Sequence, residues 1–241
     1  MMTLFTSAAW ALGLAVSPPY VVVEAAPGSV VGHTLSVRNT ASHPVEVKVY
    51  VNDWWYEGEE HVFAPIGTVE RSAGAFATVG PATFRLGADE RREIQLEAQL
   101  PPDVSGGHYA TVFFEASAGG TAGMRVASLV MIDAGGVEAP TLTAAAPQVV
   151  FEGGRATVSL PVEQRGDTHT FARFKGIIRR KDGPVIARVA TEEARFLPGQ
   201  ARNLSVPMET PLESGIYSLD GVLVSDNALP VPVSSTLFTV P

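Results

Sequence analysis

The sequence predicts an all-β protein made of two antiparallel β-sandwich domains in tandem. Three observations carry that expectation. Short runs alternate apolar and polar residues, turn-forming residues separate them, and the second half of the chain repeats the pattern of the first. With 23 Gly and 18 Pro among 241 residues, the chain is punctuated as many short strands joined by turns would be. No segment of comparable length carries a helical period. At about 100–150 residues per domain, the length accommodates two.

From Leu4 to Val16 the chain is apolar or small, and Ala11, Gly13, Ala15 and Ser17 are spaced as a signal peptidase requires. Residues 1–17 are therefore read as a secretory leader and the protein as exported, to the periplasm or the cell surface. No Lys or Arg precedes the run, and a buried first strand is the other reading. The run falls short of the ~20 residues that a spanning helix needs.

Three later runs read clearly as strands. In Leu35 and Val37, Ser36 and Arg38 alternate with the apolar residues. Val45, Val47, Val49 and Val51 point one way while Glu46, Lys48, Tyr50 and Asn52 point the other, the period of a sheet with one wet face. Ile94, Leu96, Ala98 and Leu100 alternate with Glu93, Gln95, Glu97 and Gln99. One-sided strands of this kind are buried by packing sheet on sheet. Trp54, Trp55 and Tyr56 follow the valine run and cannot all point to one side. They form a candidate aromatic binding surface, with Trp54 in the core and its neighbours covering an edge as the plainer alternative. Residues 57–81 are the longest insertion of the first half relative to the second, and a hairpin is expected there.

The repeat is explicit. Leu35-Ser-Val-Arg-Asn39 before a polar turn is echoed by Leu160-Pro-Val-Glu-Gln164. Phe84-Arg-Leu-Gly87, a strand, and a Pro-rich corner ending at Tyr109 are echoed from Phe196-Leu-Pro-Gly199 to Tyr217. Two copies of one immunoglobulin-like sandwich account for this. Tyr109 and Tyr217 fall where that fold places a phenol bonded back to the corner's backbone, so both are read as structural. The expected division is residues 18–133, a linker at 134–146, and residues 147–241.

Composition narrows the function. A formal charge of −8 and a pI near 5.1 argue against nucleic acid, which requires a clustered basic surface. The one basic triplet, Arg179, Arg180 and Lys181, runs into Asp182-Gly183 and reads as a hairpin tip. There is no cysteine, which excludes disulfides, thiolate metal sites and a cysteine nucleophile. The histidines His33, His43, His61, His108 and His169 have no metal-ligand spacing, and no nucleophile elbow or phosphate-cradling glycine motif occurs. The cluster Glu57, Glu59, Glu60 and His61 reads as a solvated turn rather than a cation site. A non-enzymatic protein without a small-molecule cofactor is expected.

Residues 18–133 resemble the N-terminal domain of PapD-like periplasmic pilus chaperones. The resemblance lies in the Val21 strand, Pro27-Gly28, Leu35-Ser-Val-Arg-Asn39, the strand from Val45 to Trp54, Phe84-Arg-Leu86 and Tyr109-Ala-Thr-Val-Phe-Phe114. It implies a chaperone for the assembly of surface or fimbria-like subunits, one that binds a protein client by β-strand addition. By position the client-binding strand would be Met124, Arg125, Val126, Ala127, Ser128, Leu129, Val130, Met131 and Ile132. Pilus chaperones hold a client carboxylate with a cationic pair. Here the first strand, Val21-Val-Val-Glu24, has no cation, and Arg125 is the one cation of the client-binding segment. The competing expectation is a cell-surface immunoglobulin-like module for adhesion to an envelope protein or to wall polymer.

Overall fold

The computed structural model describes residues 13–118, 121–135, 141–152, 155–226 and 229–240. Every regular element in it is a β-strand. The chain divides into two compact units, Met1–Trp55 with Val62–Gly136, and Tyr56–His61 with Val137–Pro241.

The strands from Leu14 to Ala134 are β1 (Leu14–Ser17), β2 (Tyr20–Ala25), β3 (Val30–Asn39), β4 (Val45–Glu57), β5 (Glu60–Ala64), β6 (Ala77–Gly80), β7 (Thr83–Leu86), β8 (Arg91–Gln99), β9 (Gly106–Ala118) and β10 (Thr121–Ala134), with the ends of β4 and β5 that fall in Tyr56–His61 counted in the second unit. One sheet runs β1-β3-β8-β6 and the other β2-β10-β9-β4-β5, with β7 paired to β4. The alternating runs do what their period demands. Val45, Val47 and Val49 from β4, Leu35 and Val37 from β3, and Ile94, Leu96 and Ala98 from β8 meet in one core, while Glu46, Lys48, Glu93 and Glu97 stay in solvent.

Residues 1–12 lie outside the described residues, but Leu14–Ser17 is a strand paired antiparallel to Ser36–Asn39, and Leu14 is buried in the core. A cut after Ser17, as expected of the leader, would remove that strand. An apolar leader and a buried edge strand have the same composition, so residues 14–17 suit both readings.

The second unit holds β11 (Leu142–Ala144), β12 (Gln148–Glu152), β13 (Arg155–Gln164), β14 (Thr170–Arg180), β15 (Val185–Ala190), β16 (Ala194–Phe196), β17 (Ala201–Pro207), β18 (Gly215–Ser225) and β19 (Val231–Val240). β11, β12 and β17 pair with β13 in one sheet, and the other runs β15-β14-β18-β19 with β16 paired to β14. Because Leu142–Ala144 pairs with Val162–Gln164, the expected linker is shortened by a strand. The core is built from Val158, Leu160, Phe174, Ile178, Phe196, Leu219 and their neighbours.

The sequence repeat has a physical counterpart. Fully buried Asn39 donates through Nδ2 to the carbonyls of His43 (2.8 Å) and Gly87 (2.8 Å) and accepts at Oδ1 from the Ala41 N–H (2.9 Å). Gln164, at the matching place, donates through Nε2 to the Thr168 carbonyl (2.8 Å) and accepts at Oε1 from the Gly166 N–H (3.0 Å). Each amide closes the polar turn after its strand from inside. Asn39→Ala should therefore cost about 2 kcal/mol in urea unfolding, since buried carbonyls lose their donor. A loss no larger than that of an exposed Asn would contradict this. Tyr217 also behaves as expected, its hydroxyl donating to the Glu213 carbonyl at 2.9 Å. The Tyr109 ring meets Trp54 edge-on at 5.9 Å.

Candidate client-binding edge

The long strand β10 pairs antiparallel with β9 along its length, with a β-bulge between Ala122 and Met124. On its other side the parallel partner β2 begins only at Leu129, opposite Tyr20, and continues to Ala134. The Leu129 N–H donates to the Pro19 carbonyl at 3.0 Å and the Ser128 hydroxyl to the Pro18 carbonyl at 2.8 Å. Upstream of Leu129, among the described residues, no strand pairs with that side. N–H directions alternate along a strand, so the main chains of Ala127 and Arg125 point the same way as Leu129, toward the open edge.

The expected client-binding segment thus falls into two parts. Among the described residues, Met124, Arg125, Val126 and Ala127 have no strand on one side, although the Leu14 N–H of β1 donates to Met124 Sδ at 3.2 Å. Ser128 is held by Pro18, and Leu129, Val130, Met131 and Ile132 are flanked on both sides. Its faces also differ. Val130 and Ile132 are core residues, and Met124 and Val126 pack at the core's margin. On the opposite face lie Arg125, Ala127, Leu129 and Met131, beside an aromatic group. The Arg125 guanidinium sits 4.5 Å from the Phe113 ring centre, and Tyr50 and Phe63 approach the same ring at 5.4 and 5.0 Å. Phe63 comes from β5, the hairpin strand of the insertion; its contact with Phe113 had no signal in the local sequence.

The aromatic triplet does not form one exposed surface. Trp54 is fully buried, while Trp55 and Tyr56 are half-exposed. The Tyr56 hydroxyl accepts from Arg195 Nη1 at 3.4 Å, and the Arg202 guanidinium lies 4.7 Å from its ring centre. Trp54 is thus not part of an exposed surface, yet it lies on the β4 face opposite the core valines, against Tyr109, and not in the sandwich core that the plainer alternative gave it. Its neighbour Asp53 was missed. This buried carboxylate accepts from the backbone N–H groups of Thr68 (2.8 Å) and Val69 (3.3 Å) and from the Ser72 hydroxyl, and so ties down the loop between β5 and β6. The available signal was parity, since Asp53 falls on the valine side of β4. Burial first, and then Arg195 and Arg202, hold the His61 imidazole below its usual range. A neighbourhood with two guanidinium groups disfavours a cation at the acidic turn.

No protein-family model matches the chain, and no curated protein is similar to it. Solved structures are similar. The class 5 fimbriae chaperone CfaA matches at a TM-score of 0.53 with 12% identity, covering 95% of this chain and 100% of that one. The chain thus has the PapD-like fold. A chaperone–tip adhesin complex of CFA/I fimbriae biogenesis matches at 0.51 with 12% identity, over 94% of this chain and 98% of that one. The YadV chaperone matches at 0.51 with 10% identity, over 93% and 99%. At these identities the likeness is one of PapD-like architecture, and the chemistry must be read from the edge itself.

Proposed function

We propose that this exported protein is a non-enzymatic chaperone that binds a protein client by β-strand addition along the open edge of β10, in the assembly of surface or fimbria-like subunits. The observation that carries the reading is the absence, among the described residues, of a strand beside Met124–Ser128, where β2 does not reach. Unpaired N–H and C=O groups on such an edge template another strand unless they are protected. Met124 and Val126 at the core's margin would extend the apolar interior into a client, with the backbone supplying affinity and alternate side chains supplying register. The fimbrial chaperones of the same fold support the choice of client class.

Proline offers a direct test. Its missing N–H is tolerated where that group faces an open edge and is not tolerated where it enters the ladder. Ala127→Pro should abolish client capture from the envelope fraction while leaving thermal unfolding nearly unchanged. Val126→Pro, whose N–H faces β9, should unfold the first unit. Full client capture by Ala127→Pro would refute binding at this edge.

A further inference from the structure

Building on the strand-addition reading, we infer that the client segment carries a carboxylate side chain opposite Arg125 and a large apolar, preferably aromatic, side chain opposite Ala127. Rows of side chains crossing the sheet on the face away from the core carry this inference. In one row Lys48 of β4 stands opposite Glu115 of β9, and Glu115 opposite Arg125 of β10. The signs alternate, positive, negative, positive, and the row ends at the open edge on an exposed cation. The Tyr50 hydroxyl donates to Glu115 Oε2 at 3.3 Å, and the Phe113 ring beneath the Arg125 guanidinium holds its plane. A strand laid along β10 would set its own side chain about 5 Å from that of Arg125. Opposite charges in directly facing positions stabilise, and like charges destabilise. A planar guanidinium also suits a carboxylate better than any other side chain.

The neighbouring row reads Tyr50, Phe113 and Ala127, with Phe63 edge-on to Phe113. Two aromatic rings are followed at the edge by a methyl group. Phe113 itself is buried, whereas the half-exposed Ala127 methyl leaves room at the edge, where an aromatic or large aliphatic group of the added strand would pack. On the core face, Met124 and Val126 call for apolar residues at the intervening positions. The segment so defined is apolar apart from one acid, which stands two residues from its largest side chain in either strand polarity.

The test uses the full chain, labelled with 15N, and acetylated, amidated peptides containing Val-Glu-Val-Phe-Val and its reverse. The glutamate peptide of the correct polarity should shift the amide resonances of Arg125 and Ala127. Lysine in place of glutamate should weaken binding about five- to tenfold. Arg125→Gln, which removes the charge without setting a second carboxylate against Glu115, should erase the difference between the two peptides. Equal binding of both peptides to the unaltered chain, with shifts still at Arg125 and Ala127, would overturn the carboxylate assignment and leave strand addition standing. If no peptide perturbs residues 124–128, strand addition at this edge falls as well.

Discussion

Val130→Glu is expected to unfold the first unit, with a loss of more than about 3 kcal/mol, whereas Leu129→Glu should cost far less. The two residues are adjacent on β10 and face opposite ways. Val130 is 1% exposed in the core, where a carboxylate would have neither water nor a cation. Leu129 is half-exposed on the other face, next to the Arg125 side of the strand. Trp54 and Trp55, the tryptophans among the described residues, belong to the first unit, so tryptophan fluorescence in urea reports that unit. Equal midpoints for the two variants would contradict the assignment of faces.

Gly221→Val should be comparably severe in the second unit, costing about 3 kcal/mol by overpacking. Gly221 of β18 stands directly opposite Gly176 of β14. A Cβ at Gly221 would lie 2.3 Å from Phe174 Cε2 and 2.8 Å from the Lys175 carbonyl oxygen. The Phe174 ring is fully buried and has nowhere to move. Protease susceptibility of residues 137–241 should rise while tryptophan fluorescence stays native. Phe174→Leu in the same chain should restore part of the loss, because the two sites share one volume. Failure of that second substitution to restore any stability would point to a backbone cause in place of the clash.

Much of the fold could be read directly from local pattern. The valines of β4 face the core because a period of two leaves them no other arrangement, and Asn39 and Gln164 close equivalent turns because the same polar turn follows the same strand. The binding edge could be read only in part. That β10 has an open half and a closed half depends on where β2 stops, and the two strands are more than a hundred residues apart in the chain. Parallel pairing of that range leaves no trace in either segment alone. The burial of Trp54 follows the plainer reading of the triplet, but the face on which it is buried depends on Tyr109, far away in sequence.

Under the proposed strand addition, the crossing at Pro18 and Pro19 bears on client size. Before it the first strand belongs to the β3 sheet, and after it to the β10 sheet. The place where the chain changes sheets therefore acts as a ruler for the stretch of β10 left uncovered. At about 3.3 Å per residue, Met124 to Ser128 measures roughly 17 Å, the span of one ordinary strand. Shifting the crossing toward the N-terminus would lengthen β2 and shorten the berth by the same number of residues. Under the proposed strand addition, the protein would be retuned for shorter or longer clients without altering a single residue of the strand proposed to hold them.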